Sequence, residues 1–368
     1  MSMTSIDAAL APLIARIRNA SESRTPLDIR GGGTKRFYGE AAQGEAFDVT
    51  GLSGISSYEP TELVVTARCG TTLDELEATL AEKGQCLPFE RPHFGRGATV
   101  GGMVAAGLAG PSRAAVGGVR DYLLGASLLN GRGELLSFGG QVMKNVAGYD
   151  VSRVLAGSLG TLGVICEVSL KVLPMASATA TLRFEIDEAQ ALQQLAVWSA
   201  QPLPLNASAW WAGMLVIRLR GALAAVNAAR VAMGGERVDD ADANAFWHGL
   251  REHDDEYFAA AHRAIESERA MRLWRLSVPA TTPLLALAGE QLIEWSGAQR
   301  WLYSAAPVNR VREEVARAGG HATIFRASDK RGGVFAPLKS PLDRIHRELK
   351  KAFDPAGVFN RGRLYPDL

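Results

Sequence analysis

Cysteine is scarce in this chain. Its three residues, Cys69, Cys86 and Cys166, lie too far apart for any C-x-x-C pair, so the sequence offers no zinc or iron–sulfur ligand set and no metal site is expected. Long apolar runs are missing too. No window reaches about 18 uninterrupted apolar residues, and no basic segment followed by an apolar stretch opens the chain, so neither a membrane span nor a secretory leader is expected. Charge of one sign is not in excess either: 40 basic residues face 39 acidic ones, for a net charge of +1. That balance gives no global field to hold nucleic acid or an anionic membrane surface. A cytoplasmic location fits these absences, with any membrane contact made through partners.

What is present is enough chain for more than one core. The 368 residues exceed the roughly 250–300 at which a single core stops growing, and 47% hydrophobic with 21% charged residues is ordinary globular composition. Glycine divides the chain unevenly: 26 of the 39 glycines precede residue 176. Such density marks places where backbone turns sharply or approaches a ligand, as phosphate-binding loops do, so a cofactor is sought in residues 1–175. At the start, Ile6, Leu10, Leu13, Ile14 and Ile17 share one helical face, read as a docking helix that packs on the core.

Local signals fill in that first part. A strand at Leu27–Arg30 runs into Gly31-Gly32-Gly33, and a second strand at Leu63–Ala67 leads to a helix capped by Thr72 with Glu75 three residues on. Leu73, Leu76 and Leu80 share its inner face, and Gly84 ends it. Thr99–Gly110 holds only small or apolar side chains and reads as a short helix. Leu123–Leu129 and Glu134–Phe138 flank the hairpin signal Asn130-Gly131-Arg132-Gly133, and alternation from Val164 to Pro174 predicts a long half-buried strand.

Beyond residue 176, Met214–Leu219, Leu223–Met233 and Arg237-Val238 form a strand–helix–strand unit. Gln299–Ser304, Val308–Ala318 and His321–Arg326 form a second, so a ferredoxin-like α+β layer with two related pieces is expected. Between them Ala243–Arg269 reads as helical and strongly charged, and Arg272–Val278 as a strand.

Leu27-Asp28-Ile29-Arg30-Gly31-Gly32-Gly33-Thr34-Lys35 delivers unhindered N–H groups, a hydroxyl and a cation to one point, a suitable nest for a pyrophosphate. It is neither a Walker loop, lacking Gly-Lys-Ser/Thr, nor a G-x-G-x-x-G dinucleotide fingerprint. Further segments agree with one family pattern. Leu27–Lys35 resembles the first phosphate loop of the vanillyl-alcohol-oxidase superfamily with its PCMH-type FAD-binding domain. Ala98–Gly107 is similar to the family's second glycine-rich segment. Lys144–Asp150 with Gly157–Ile165 resembles its adenine-side loop and strand, and Phe353–Arg363 the tail that returns to the flavin domain. Within the superfamily, Leu273–Pro279 and Gly297–Leu302 resemble the E-subunit family of three-subunit bacterial glycolate oxidases.

The resemblance implies an α+β fold in three stretches: an FAD-binding PCMH-type domain of two α+β subdomains (1–175), a ferredoxin-like α+β cap (176–330), and a segment returning to the first domain (331–368). It implies FAD held non-covalently, since no histidine occupies the first loop. His93, ahead of the second loop, is the one remaining candidate anchor. The expected cofactor contacts are Arg30, Gly31, Gly32, Gly33, Thr34, Lys35, Thr99, Val100, Gly101, Gly102, Ala106, Gly107, Arg113, Arg120, Asp121, Lys144, Gly160, Thr161, Gly163, Val164, Ile165 and Asn360. The amides of Gly31–Thr34 and Gly101–Gly102 are expected to face the diphosphate. Arg120 and Asp121 read equally well as a structural ion pair.

Oxidising a 2-hydroxy acid requires a cation for the carboxylate and a base for the hydroxyl proton. Arg275 and Arg300 are the clamp candidates, with cation–π packing as their alternative, and His321 is the base candidate, with a plain surface histidine as its alternative. The family's metal-assisted members carry a Glu-His pair before glycine near the carboxyl end. Here the only such pair, Glu252-His253, sits in a charged run that reads as a solvated helix face. Partners implied are a catalytic FAD subunit and an iron–sulfur subunit that pass electrons to quinone. A free-standing FAD-dependent 2-hydroxy-acid dehydrogenase and a non-catalytic flavin-binding assembly subunit are the alternatives.

Overall fold

The computed structural model describes residues 3–140 and 150–368, without the side chains of residues 3–7. Its first layer is a five-stranded antiparallel sheet in the order Ile55–Glu59, Val64–Arg68, Val164–Lys171, Leu123–Leu129, Leu135–Gly139. The helix Leu73–Ala81 starts where the Thr72 hydroxyl accepts from the Glu75 amide at 3.2 Å, and it buries Leu73, Leu76 and Leu80 against this sheet. Beside it lies the helix Val100–Ala106, which stops at Gly107, whose φ of 61° is the left-handed conformation glycine adopts freely. Asn130 makes the expected hairpin by accepting the Arg132 and Glu134 amides on its side-chain oxygen.

The first helix, Met3–Ser23, packs inward rather than outward. Leu10 and Ile17 are buried with Leu27, Phe47, Val358 and Phe359, each such side chain contributing about 1.5–3 kcal/mol. This cluster underlies a short parallel pair, Leu27–Arg30 with Glu45–Asp48. Neither Glu45–Asp48 nor Ile55–Glu59 carries a strong local strand signal.

The second layer is an eight-stranded antiparallel sheet in the order Glu236–Arg237, Ala178–Glu185, Met214–Gly221, Leu205–Trp211, Glu290–Glu294, Gln299–Ser304, Arg272–Ser277, His321–Ala327. Its first four members are the fourth, first, third and second strands of a β-α-β-β-α-β unit with helices Glu188–Ser199 and Leu223–Met233. The last four repeat that order in reverse, with Val308–Arg317 as helix and an irregular stretch, 278–289, where the other helix would be. The two strand–helix–strand pieces expected from sequence are therefore the second halves of two ferredoxin-like units, joined edge to edge through Leu205–Trp211 and Glu290–Glu294. The expected helix over Ala243–Arg269 is two helices, Asp240–Glu252 and Glu256–Ser267, broken at His253, whose φ is 59°.

After the helix Leu342–Phe353 the chain returns to the first layer, pinned by a buried ion pair. Lys350 Nζ lies 2.7 Å from Asp354 Oδ2 and donates to the carbonyls of Thr161 and Phe359, both at 2.8 Å. Asp354 in turn accepts the amides of Val358 and Phe359. Removing one partner of such a pair leaves an uncompensated buried charge. Asp354→Ala should therefore lower the unfolding free energy by about 3–5 kcal/mol in urea titration; a loss below about 1 kcal/mol would contradict the pinning role.

Candidate cofactor site

The first glycine-rich loop is closed by Asp28, which is 5% exposed and accepts from Arg30 Nε and Arg36 Nη1, both at 2.8 Å. Between these two arginines, the amides of Gly32, Gly33 and Thr34 have no acceptor among the described residues. The glycines have a second reason to be there. A Cβ on Gly32 would stand 1.6 Å from the Gly97 carbonyl oxygen, and one on Gly31 would stand 2.5 Å from Thr99 Oγ1. The loop is thus pressed against the start of the second glycine-rich segment.

That second segment is wired differently from the expectation. Val100 donates to the Thr71 carbonyl, Gly101 to the Cys69 carbonyl at 2.8 Å, and Gly102 to Thr99 Oγ1 at 3.2 Å. The Gly101 and Gly102 amides are therefore engaged within the protein, and the expectation that they face a diphosphate is corrected. Gly101 is needed for packing, since its Cβ would fall 2.7 Å from that of Cys69.

Both segments open onto one cleft. Of the residues named from sequence, Arg30 through Lys35, Thr99, Gly101, Gly102, Ala106, Gly160, Gly163, Ile165 and Asn360 line it. Asn360 ties two walls together: its side-chain oxygen accepts the Ile29 amide at 2.7 Å and its nitrogen donates to the Leu159 carbonyl at 2.6 Å. Asp28, Ile29, Arg36, Val49, Cys69, Ala105, Leu159 and Arg363 also line the cleft and were not anticipated. Asp28, Ile29, Ala105, Leu159 and Arg363 lie inside the segments that carry the resemblance and Arg36 directly follows one, whereas Val49 and Cys69 are delivered by tertiary folding and leave no local signal.

The other expected contacts lie off the cleft lining. Val100 and Val164 are buried in the two cores of the first layer. Gly107 fits its turn against Gly157, and Thr161 bonds its hydroxyl to the Ser158 carbonyl. Arg113 stacks over Trp295 at 4.9 Å, Arg120 is exposed, and Asp121 accepts the Gly118 amide at 2.8 Å. No ion pair joins Arg120 and Asp121 among the described residues. Lys144 and the rest of 141–149 lie outside the described residues.

Lys35 is the cation at the cleft mouth. Its ammonium donates to Thr34 Oγ1 at 3.2 Å and to the His93 carbonyl at 3.1 Å, and burial pushes its pKa down to about 8 against the opposing pull of Glu252. The His93 ring is turned to Glu77 at 2.7 Å and Asp74 at 3.3 Å, away from the cleft lining. Arg363 donates to the carbonyls of Arg36, Tyr38 and Glu40, which fixes the chain just after the loop.

The second layer presses its inner face on this site. Arg218 pairs with Glu90 at 2.7 Å, and Trp295 Nε1 donates to the Gly110 carbonyl at 3.0 Å. Glu252 accepts the His93 and Phe94 amides at 3.0 and 2.7 Å, while His253 is 7% exposed and stacked on Phe258 at 3.7 Å. Glu252-His253 is thus a seam element, not a solvated helix face, because the left-handed turn at His253 drives both side chains inward.

The three residues expected to handle substrate do not converge. Arg275 stands opposite Trp301 in the strand pairing and points to the inner face, its Nη2 donating to the Tyr38 hydroxyl at 3.1 Å. Arg300, one residue out of phase, is fully buried on the outer side, where it donates to the carbonyls of Thr282, Pro283 and Gly297. It braces the 278–289 stretch, so a clamp built from both arginines is ruled out. His321 is exposed at a strand end, and partial burial followed by the charge of Arg275 holds its pKa below the usual histidine value.

Residues 10–139 match a family model described as an FAD binding domain. The chain is 48% identical to glycolate oxidase subunit GlcE of Escherichia coli strain K12 over 356 residues, which is 97% of each chain. It belongs to the GlcE family. Glycolate oxidase subunit GlcD of Bacillus subtilis strain 168 is 32% identical over 48% of this GlcE-family chain and 39% of its own length. D-lactate dehydrogenase of Archaeoglobus fulgidus is 32% identical over 44% and 36%. A solved structure of alkyldihydroxyacetonephosphate synthase superposes with a TM-score of 0.64 at 14% identity, over 95% of this chain and 75% of that one, which establishes the shared α+β fold.

Because the Gly32 contact is with backbone, Gly32→Ala should cost about 1–3 kcal/mol of stability or prevent folding, whether or not a ligand is supplied. An unchanged melting temperature in calorimetry would disprove that close packing.

Proposed function

We propose that this chain is the FAD-binding subunit of a glycolate-oxidising enzyme, holding its flavin non-covalently in the cleft between the two glycine-rich segments. The observation that carries this is the run of amides at Gly32–Thr34, without an acceptor among the described residues, beside Lys35, which suits the two negative charges of a diphosphate. Gly163 and Ile165 would hold the adenine end, and Asn360 would keep the walls at their spacing. When bound, FAD supplies the acceptor for substrate hydride. Cys69 is the cysteine on the cleft lining, and burial pushes its thiol well above the usual range, which disfavours the thiolate that covalent attachment needs.

On this reading residues 1–175 form the FAD domain, 176–330 the cap and 331–368 the returning segment. GlcE and GlcD are named as subunits, which supports an assembly with a second, catalytic FAD subunit. An iron–sulfur subunit that carries electrons to quinone completes it. Among the described residues no helix is long and apolar enough to cross a membrane, so contact with the quinone pool is assigned to partners.

The purified chain should show flavin absorption that is released on acid precipitation. A colourless protein that FAD cannot reconstitute would sink the reading. A Cβ on Gly102 meets only Thr99 Oγ1, at 3.2 Å, so Gly102→Leu should abolish flavin retention while the far-ultraviolet circular dichroism stays native; retained flavin would exclude this cleft. Lys35 gives a pH signature. Its pKa of about 8 in the flavin-free chain rises when an anion binds beside it, so FAD affinity is complete below pH 8 and declines above it, by up to about tenfold per unit. Lys35→Met should flatten that decline, as read by fluorescence titration.

A further inference from the structure

None of the described residues of 176–330 lines the cofactor cleft, yet that part of the chain reaches it through one side chain. Glu252, the last residue of the helix Asp240–Glu252, lays one carboxylate oxygen across the amides of His93 and Phe94, at 3.0 and 2.7 Å, and its other oxygen accepts from Arg251 Nε at 2.6 Å. Phe94 has a φ of 53°, a left-handed conformation that costs a bulky residue about 1–3 kcal/mol. The turn is thus held by a carboxylate from the opposite layer, not by its own preference.

The loop held in this way touches the first glycine-rich loop at three points. The His93 carbonyl accepts from Lys35 Nζ at 3.1 Å, and a Cβ on Gly95 would sit 3.7 Å from Thr34 Cγ2. The Gly97 carbonyl is the group that leaves no room for a side chain on Gly32. Glu252 also attracts the Lys35 ammonium, opposing the burial that lowers its pKa. Other charged groups around this loop are engaged elsewhere or stand in solvent. Arg30 and Arg36 are held by Asp28, His93 by Glu77 and Asp74, Arg326 stacks on Phe37, and Arg96 is exposed.

We propose that Glu252 is a positioning residue through which the cap sets flavin affinity. Its carboxylate shapes the 93–97 loop, and that loop presents the Gly32–Thr34 amides and Lys35 to the diphosphate. The inference rests on the proposed placement of FAD. Because Glu252 is not on the cleft lining, its effect is transmitted through the loop rather than by contact. Glu252 does line an open groove on the other side of the loop, with Asp254 and Arg326, so a small carboxylate from solvent can take its place when the side chain is shortened.

Fluorescence titration of the deflavinated full-length chain with FAD tests it. Glu252→Ala should weaken FAD binding by about tenfold, as loss of charge-assisted contacts does, and added acetate should restore it where chloride at the same ionic strength does not. Glu252→Gln, of the same shape but neutral, should weaken binding less. It should also move the alkaline decline in affinity to lower pH, because the protonated form of Lys35 loses the charge that supports it. Wild-type FAD affinity in both variants overturns the proposal. So does a loss that acetate leaves unrestored with the pH profile unmoved, since that marks a merely structural role. If Glu252→Ala does not fold, the pH profile of Glu252→Gln decides. A wild-type chain that takes up no FAD removes the cofactor reading itself, and this inference with it.

Discussion

The cofactor cleft depends on a lysine–aspartate pair that is almost wholly buried. Lys350 and Asp354 sit in the carboxyl-terminal segment, yet their hydrogen bonds reach the Thr161 carbonyl and the turn that delivers Asn360. Asn360 then holds the Ile29 amide and the Leu159 carbonyl, one on each wall. Two loops more than 120 residues apart in sequence are thus kept in register by a tail that belongs to neither. Burying the pair is itself expensive; what it provides is a fixed geometry, since each charge is saturated only when the tail is docked.

A second layer of constraint comes from the seam. Glu90 with Arg218, Glu252 with the His93 and Phe94 amides, and Trp295 with Gly110 all join the two sheets through directional polar contacts. Around them the aromatic cluster of Phe37, Tyr38, Phe94, Trp301 and Phe325 fills the space between. A seam built this way excludes water, which strengthens the electrostatic interactions inside it.

How much of this was legible in the sequence follows from how local each signal is. Glycine runs, the Thr72 cap and the Asn130 hairpin announce themselves within a few residues, and so the first loop and most elements of residues 27–172 were readable. Val49 and Cys69 were not, because only the fold brings them to the cleft, and Arg363 was legible only as the last residue of the returning tail. The engaged amides of Gly101 and Gly102 were also hidden, since their acceptors, Cys69 and Thr99, become neighbours only when the helix docks. Arg275 and Arg300 looked equivalent as arginines among aromatics. Strand pairing decides between them: Arg275 opposes Trp301, which sends Arg300 to the other face. Glu252-His253 misled for a different reason, as a charged run gave no warning of the left-handed turn that buries it.

Edge-to-edge joining of the two ferredoxin-like units removes one open sheet edge from each. Severed at that joint, each half would expose a full-length strand with unpaired backbone groups, a template for aggregation. Fused, the sheet retains two rims. One of these, Glu236–Arg237, is only two residues long and carries a charge on each. The joint therefore shields two strands that would otherwise be open edges, and the two halves of the eight-stranded sheet should fold and express together rather than apart.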